Sequence, residues 1–199
     1  MKIILQQTIL GILVIFTPLY AEIGIAPIFS DNMILQRDVS IPLRGTATDE
    51  KEVTVQFNGS TYASVVIENR WIVELPAMPA GGSFEILIKG AKNTVTVSNV
   101  TFGDIWLCAG QSNMDSSIET YKRKFPELYE GHPVKYHEQI RIFRAAILPV
   151  DEPQEFIKRE YRFDQGWYPI EPRTRTHLLT ATGYFFGLHL AEALDAPIG

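Results

Sequence analysis

The chain has one cysteine, Cys108, among its 199 residues. No intrachain disulfide can form, so the fold rests on a packed core. Clustered positive charge is also missing: 18 Lys+Arg stand against 23 Asp+Glu, a net charge of −5. With no basic run interleaved with aromatics, the sequence argues against a nucleic-acid partner, because binding to phosphate backbones needs clustered cations. No internal repeat or low-complexity tract is present, and no apolar run reaches the roughly 20 residues of a membrane-spanning helix. The strongest apolar stretch, Ile9 to Phe16, follows Gln6-Gln7-Thr8 and is closed by Pro18. A basic start at Met1-Lys2, this short apolar stretch and the small Ala21 predict a signal peptide over residues 1–21, cleaved near Ala21. That implies export to the periplasm or the extracellular space without stable membrane insertion. No cysteine stands near the cleavage site, so a lipoprotein signal is not indicated.

What the chain does have is an ordinary globular make-up, 46% hydrophobic and 21% charged, enough to bury a core. From about Ile23 to Val100 apolar residues alternate with period two, the mark of strands with one face inside. Val53, Val55 and Phe57 alternate with Thr54 and Gln56. Asn58-Gly59 then gives a strong hairpin signal, because both turn positions need positive φ, and Tyr62 to Ile67 reads as the return strand. Glu68-Asn69-Arg70 turns the chain into Trp71, Val73 and Leu75. After Pro76, Pro79, Gly81 and Gly82 comes a strand carrying Phe84, Ile86 and Ile88. Short strands at this spacing predict an all-β sandwich of about seven strands over residues 22–101, immunoglobulin-like or jelly-roll in size.

The pattern changes near Val100. Ile105-Trp106-Leu107-Cys108 is a continuous apolar run that reads as a buried parallel strand, with Cys108 as a small buried hydrophobe. Ile140 to Ile147 reads as a second buried strand. Ala181, Tyr184, Phe185, Leu188 and Ala191 fall at helical spacing, with Thr180 as N-cap. Tyr121 to Tyr136 and Asp151 to Thr176, rich in Pro, charge and aromatics, read as surface loops. Strand alternating with helix over residues 102–199 predicts an α/β layer structure with a mainly parallel sheet.

In such sheets, ligands bind beyond the carboxyl ends of the strands. Ala109-Gly110-Gln111-Ser112 follows the predicted strand there. Gly110 lets the backbone turn, and the residues after Ser112 can open a helix whose first N–H groups would suit a developing oxyanion. By position alone, Ser112 serves equally as a helix cap or as a nucleophile.

The run Gly103-Asp104-Ile105-Trp106-Leu107-Cys108-Ala109-Gly110-Gln111-Ser112-Asn113-Met114 resembles the GD(I/V)WLC(S/A)GQSNM signature of the sialate O-acetylesterase family, a branch of the SGNH hydrolases. Phe29-Ser30-Asp31-Asn32-Met33-Ile34-Leu35-Gln36-Arg37 is similar to the FSDNMVLQR opening of the same family's β-sandwich. Ala181 to Leu194 with Ala196-Pro197-Ile198-Gly199 resembles its helix and the start of its next strand. The resemblance implies a β-sandwich followed by a flavodoxin-like three-layer SGNH domain, of which this chain holds the N-terminal part. It implies a serine esterase that removes acetyl groups from hydroxyls of sialic acid or polysaccharides, with no metal and no organic cofactor. Ser112 would attack the acetyl carbonyl, its own N–H would serve the oxyanion hole, and Gln111 and Asn113 would shape the pocket. Asp115 stands where the family usually has Glu.

The family's other sites are an oxyanion-hole glycine and asparagine and a C-terminal histidine preceded by an aspartate. In relatives these follow the point where this sequence stops, so as a truncated chain it is expected to leave Ser112 idle. Of the four histidines, His132 and His137 fall in a charged loop, His177 precedes the last helix, and His189 lies opposite the apolar stripe as a solvated residue. Arg173 and Arg175 are solvated charges or contacts for an acidic sugar. The alternative is a non-catalytic carbohydrate-binding or interaction module, in which Trp71 and Tyr62 stack on sugar rings rather than joining the core.

Overall fold

The computed structural model describes residues 22–127, 138–145, 151–152, 166–170 and 180–199. The predicted signal peptide, His132, His137, His177, Arg173 and Arg175 lie outside the described residues.

Eight strands occupy the first half, one more than the spacing predicts: β1 (Glu22–Ile25), β2 (Ile34–Gln36), β3 (Ile41–Thr48), β4 (Glu52–Phe57), β5 (Ser60–Val65), β6 (Arg70–Leu75), β7 (Gly81–Lys89) and β8 (Thr94–Gly103). They form a three-stranded sheet of order β1-β3-β6 and a five-stranded sheet of order β2-β8-β7-β4-β5. Strand β2 pairs with β8 in parallel, while the other neighbours run antiparallel. Alternation is strict in β3 and β6, where every second residue is buried. Leu43, Trp71, Val73 and Leu75 from the smaller sheet share one core with Val53, Val55, Phe57, Ile86, Ile88 and Phe102 from the larger.

The predicted hairpin at Asn58-Gly59 is present, with φ of 47° and 77°. Glu68 and Asn69 take the same left-handed region at 50° and 60°, and Ile67 and Arg70 close that turn with an isolated bridge. The return strand β5 therefore ends at Val65 rather than Ile67. Strand β8 continues past residue 101, the expected boundary, to Gly103.

The second half differs from the sequence reading in several places. Residues 105–108 are not a buried strand: Ile105, Trp106 and Cys108 are exposed and Leu107 is 93% exposed. Continuous apolar character records only that a segment can be covered, not that a layer lies on both its faces. The Ile140–Ile147 segment holds a shorter strand, β9 (Arg141–Phe143), half-buried and paired antiparallel with β10 (Trp167–Pro169); residues 146–150 lie outside the described set. Strand β10 falls in the stretch read as loop, and so does most of helix α2 (Ile118–Lys124), whose N-cap Ser117 accepts from the Thr120 amide. Parallel pairing appears as bridges about Ile198, to Asp104 on one side and Ile140 on the other.

Helix α3 (Ala181–Leu194) is as read: Thr180 caps it, and Ala181, Tyr184, Gly187, Leu188 and Ala191 form its buried face. That face packs with Ile118, Ile140, Ile170 and Ile198 in a second, smaller core. The architecture is mostly β, with a mixed five-stranded sheet and few helices. Among the described residues no helix is long and apolar enough to cross a membrane.

Candidate functional site

Leaving β8, the backbone runs against the 196–199 segment. A Cβ on Gly103 would lie 2.0 Å from the Pro197 carbonyl oxygen, so only glycine permits this approach. The Asp104 amide donates to Pro197 O (3.0 Å), the Gly199 amide to Asp104 O (2.9 Å) and the Trp106 amide to Gly199 O (2.8 Å). Past Trp106 the chain swings outward through Leu107 and Cys108 and then turns into helix α1 (Ser112–Asp115).

Ser112 is thus the first residue of a one-turn helix, but the segment before it is exposed and is not the buried strand expected from the sequence. First-turn amides of a helix lack intrahelical acceptors, so the Ser112 and Asn113 N–H groups are placed as donors. The turn is closed by the Met114 amide donating to Gln111 O at 2.9 Å and by Ser116 Oγ donating to Ser112 O at 3.3 Å. Helix α3 supports it from behind. The Ala181 amide donates to Ser116 O (2.8 Å), Thr180 Oγ1 donates to Met114 Sδ (3.5 Å), and Gly183 lies against Cys108. Trp106 meets Phe186 edge to face, with ring centroids 5.1 Å apart.

These elements enclose a cavity of about 840 Å³, whose walls include Ile105 to Ser112, Met114, β9, Trp167, Gly183, Phe186 and Gly199. The walls are largely apolar. Ser112 and Gln111 both line the cavity and are exposed, whereas Asn113 is the second residue of α1 with its side chain outside the described groups. Cys108, read as a buried hydrophobe, is instead an exposed wall residue, although partial burial still pushes its thiol pKa up. His189 is exposed on α3 and does not line the cavity. Among the described residues no group of three or more His, Cys, Asp or Glu side chains is arranged to hold a metal ion.

Trp71 belongs to the core: it is 2% exposed and its indole N–H donates to Gly24 O and Thr46 O, both at 3.1 Å. Tyr62 is partly buried against the same core.

Sequence reasoning did not assign a role to the polar groups that hold the Ser112 segment to the sheets. Arg37 donates through Nε and Nη2 to the two carboxylate oxygens of Asp104, each at 2.9 Å. Gln36 donates to Asp104 Oδ1 (3.3 Å) and accepts the Ile105 amide on its Oε1 (3.0 Å). Behind β9, the Arg141 guanidinium donates to the carbonyls of Asn32, Met33 and Asn99 and to Asn99 Oδ1. Burial lowers its pKa. Both clusters link residues far apart in the chain, and the only sequence signal was that Gln36, Arg37 and Asp104 fall within the two motifs.

No family model matches the chain. It is 30% identical to the sialate O-acetylesterase of Mus musculus over 139 residues, which is 66% of this chain and 25% of that protein. To the sialate O-acetylesterase of Rattus norvegicus it is 29% identical over 188 residues, 86% of this chain and 34% of that protein. The chain thus spans about a quarter to a third of the length of these curated relatives. The crystal structure of a carbohydrate acetylesterase from Xanthomonas citri superposes with a TM-score of 0.78 at 26% identity, covering 89% of this chain and 39% of that one. By sequence and by fold together, these likenesses support a sialate O-acetylesterase-like family for the chain.

Proposed function

We propose that this chain carries the nucleophile segment of a carbohydrate O-acetylesterase, with Ser112 as the attacking group. The observation that carries the reading is the exposure of Ser112 on the wall of the 840 Å³ cavity, at the first position of α1. A serine in the packed interior would have no access to substrate. Here Ser112 is exposed and lines the cavity, where an acetylated sugar such as O-acetyl sialic acid or an acetylated polysaccharide unit would bind.

In this reading Ser112 Oγ adds to the acetyl carbonyl while its proton passes to a base, and the oxyanion is met by the Ser112 amide. Collapse expels the sugar hydroxyl and leaves acetyl-serine, which water hydrolyses to acetate. Gln111, beside the nucleophile on the same wall, orients the substrate, and Asn113 completes the pocket edge. Among the described residues His189 does not line the cavity and is not that base. A serine hydroxyl without its base loses several orders of magnitude in rate, so turnover requires that group as well as Ser112. The reading includes export after cleavage near Ala21 and a division into a β-sandwich scaffold and an esterase part.

Release of p-nitrophenol from p-nitrophenyl acetate, and of acetate from O-acetylated sialic acid, tests the proposal. Ser112→Ala should abolish both while changing stability by less than about 0.5 kcal/mol, because the site is exposed. Equal rates for the two proteins, compared in a form that supplies the base, end the reading.

A further inference from the structure

Four features of the cavity wall are anchored on one stretch of the first half, residues 28–37. The Trp167 indole N–H donates to Ile28 O at 2.7 Å. Arg141 donates to the carbonyls of Asn32 and Met33 at 3.0 and 3.3 Å. Gly199 packs so closely on Ile34 that a Cβ added there would sit 3.2 Å from the Ile34 Cβ. Gln36 and Arg37 hold Asp104 and Ile105 as described above.

Of these, the Gln36–Arg37 pair acts at the start of the Ser112 segment. The Asp104 and Trp106 amides face the 197–199 segment, and the Ile105 amide, on the opposite edge, is taken by Gln36 Oε1. The backbone of the segment is therefore gripped on both edges up to Trp106, although its side chains are exposed from Ile105 to Ser112. Its Asp104 carboxylate is 16% exposed and receives three donors, two in the parallel fork that only a guanidinium supplies. We infer that Arg37 and Gln36 are positioning residues: they fix where the 104–112 segment leaves the sheets and, through it, where Ser112 meets the cavity. The consequence for catalysis rests on the esterase reading, but the mechanical claim does not.

The test uses the whole chain as Arg37→Ala, Arg37→Lys and Gln36→Met, read in two ways. Hydrogen exchange followed by mass spectrometry reports opening of the segment. In Arg37→Ala, the hydrogen-bonded amides of residues 104–106 should exchange about tenfold faster, while β3, β4 and β6 keep their protection. Arg37→Lys, which keeps the charge but not the fork, should recover only part of the difference. Gln36→Met, which removes the acceptor of the Ile105 amide and one donor to Asp104, should accelerate the Ile105 amide most and the Asp104 and Trp106 amides less than Arg37→Ala does. The rate at which a fluorophosphonate modifies Ser112 should fall in step with the exchange. Unchanged exchange in 104–106, or equal acceleration throughout the strands, overturns the inference. If wild-type Ser112 proves inert to the reagent, the serine lacks its base in this form of the protein, and the exchange data decide the positioning claim.

Discussion

Replacing Gly183 by alanine sets two opposing effects against each other. Alanine is favoured over glycine in a helix by up to about 1 kcal/mol, and Gly183 sits in the first turn of α3. Against this, the new Cβ would lie 2.8 Å from Thr180 Cγ2 and 3.0 Å from Cys108 Sγ, where ordinary carbon contacts begin near 3.5 Å. Thr180 has little freedom to yield, because its hydroxyl both caps α3 and donates to Met114. Cys108, on an exposed segment, must give way instead. Overpacking of this kind costs about 1–3 kcal/mol, so the net effect should be a destabilisation of about 1 kcal/mol. For a chain of this size that is a fall in Tm of about 2–4 °C. The same substitution in a Cys108→Ala background should recover part of the loss, since the remaining Cβ of residue 108 would be 3.6 Å away while the 2.8 Å contact with Thr180 Cγ2 stays. Urea and thermal unfolding of the four proteins give the coupling directly. A Gly183→Ala variant stabilised by the full helical gain would show that α3 does not press on the Ser112 segment and would refute the reasoning.

Two further perturbations follow from the geometry. Trp71→Phe removes a buried ring edge and leaves the Gly24 and Thr46 carbonyls without their indole donor, so unfolding in urea should show a loss of about 2–3 kcal/mol at unchanged m; a loss under about 0.5 kcal/mol would remove Trp71 from the core. Because burial raises the Cys108 pKa, its thiolate fraction at a given pH is lower than in an unstructured peptide, and the midpoint of its iodoacetamide alkylation against pH should lie above that of such a peptide. A midpoint at or below the peptide's would contradict the wall packing seen around the thiol.

The local pattern of the chain determined the strands of the first half, because period-two alternation and turn chemistry act within a few residues. Val53-Thr54-Val55-Gln56-Phe57 followed by Asn58-Gly59 admits a hairpin and little else, and Thr180 with the stripe from Ala181 to Ala191 likewise specifies its own helix. The proposal of Ser112 as nucleophile rests on the motif around it. Only the tertiary structure decided that Ile105 to Cys108 faces a cavity rather than a covering layer, since an apolar run states a preference for burial and not what packs on it. The same holds for Gln36, Arg37 and Asp104. Their side chains meet across 67 to 69 positions of sequence, and a contact of that span depends on how the intervening strands pair, which no window of local sequence contains.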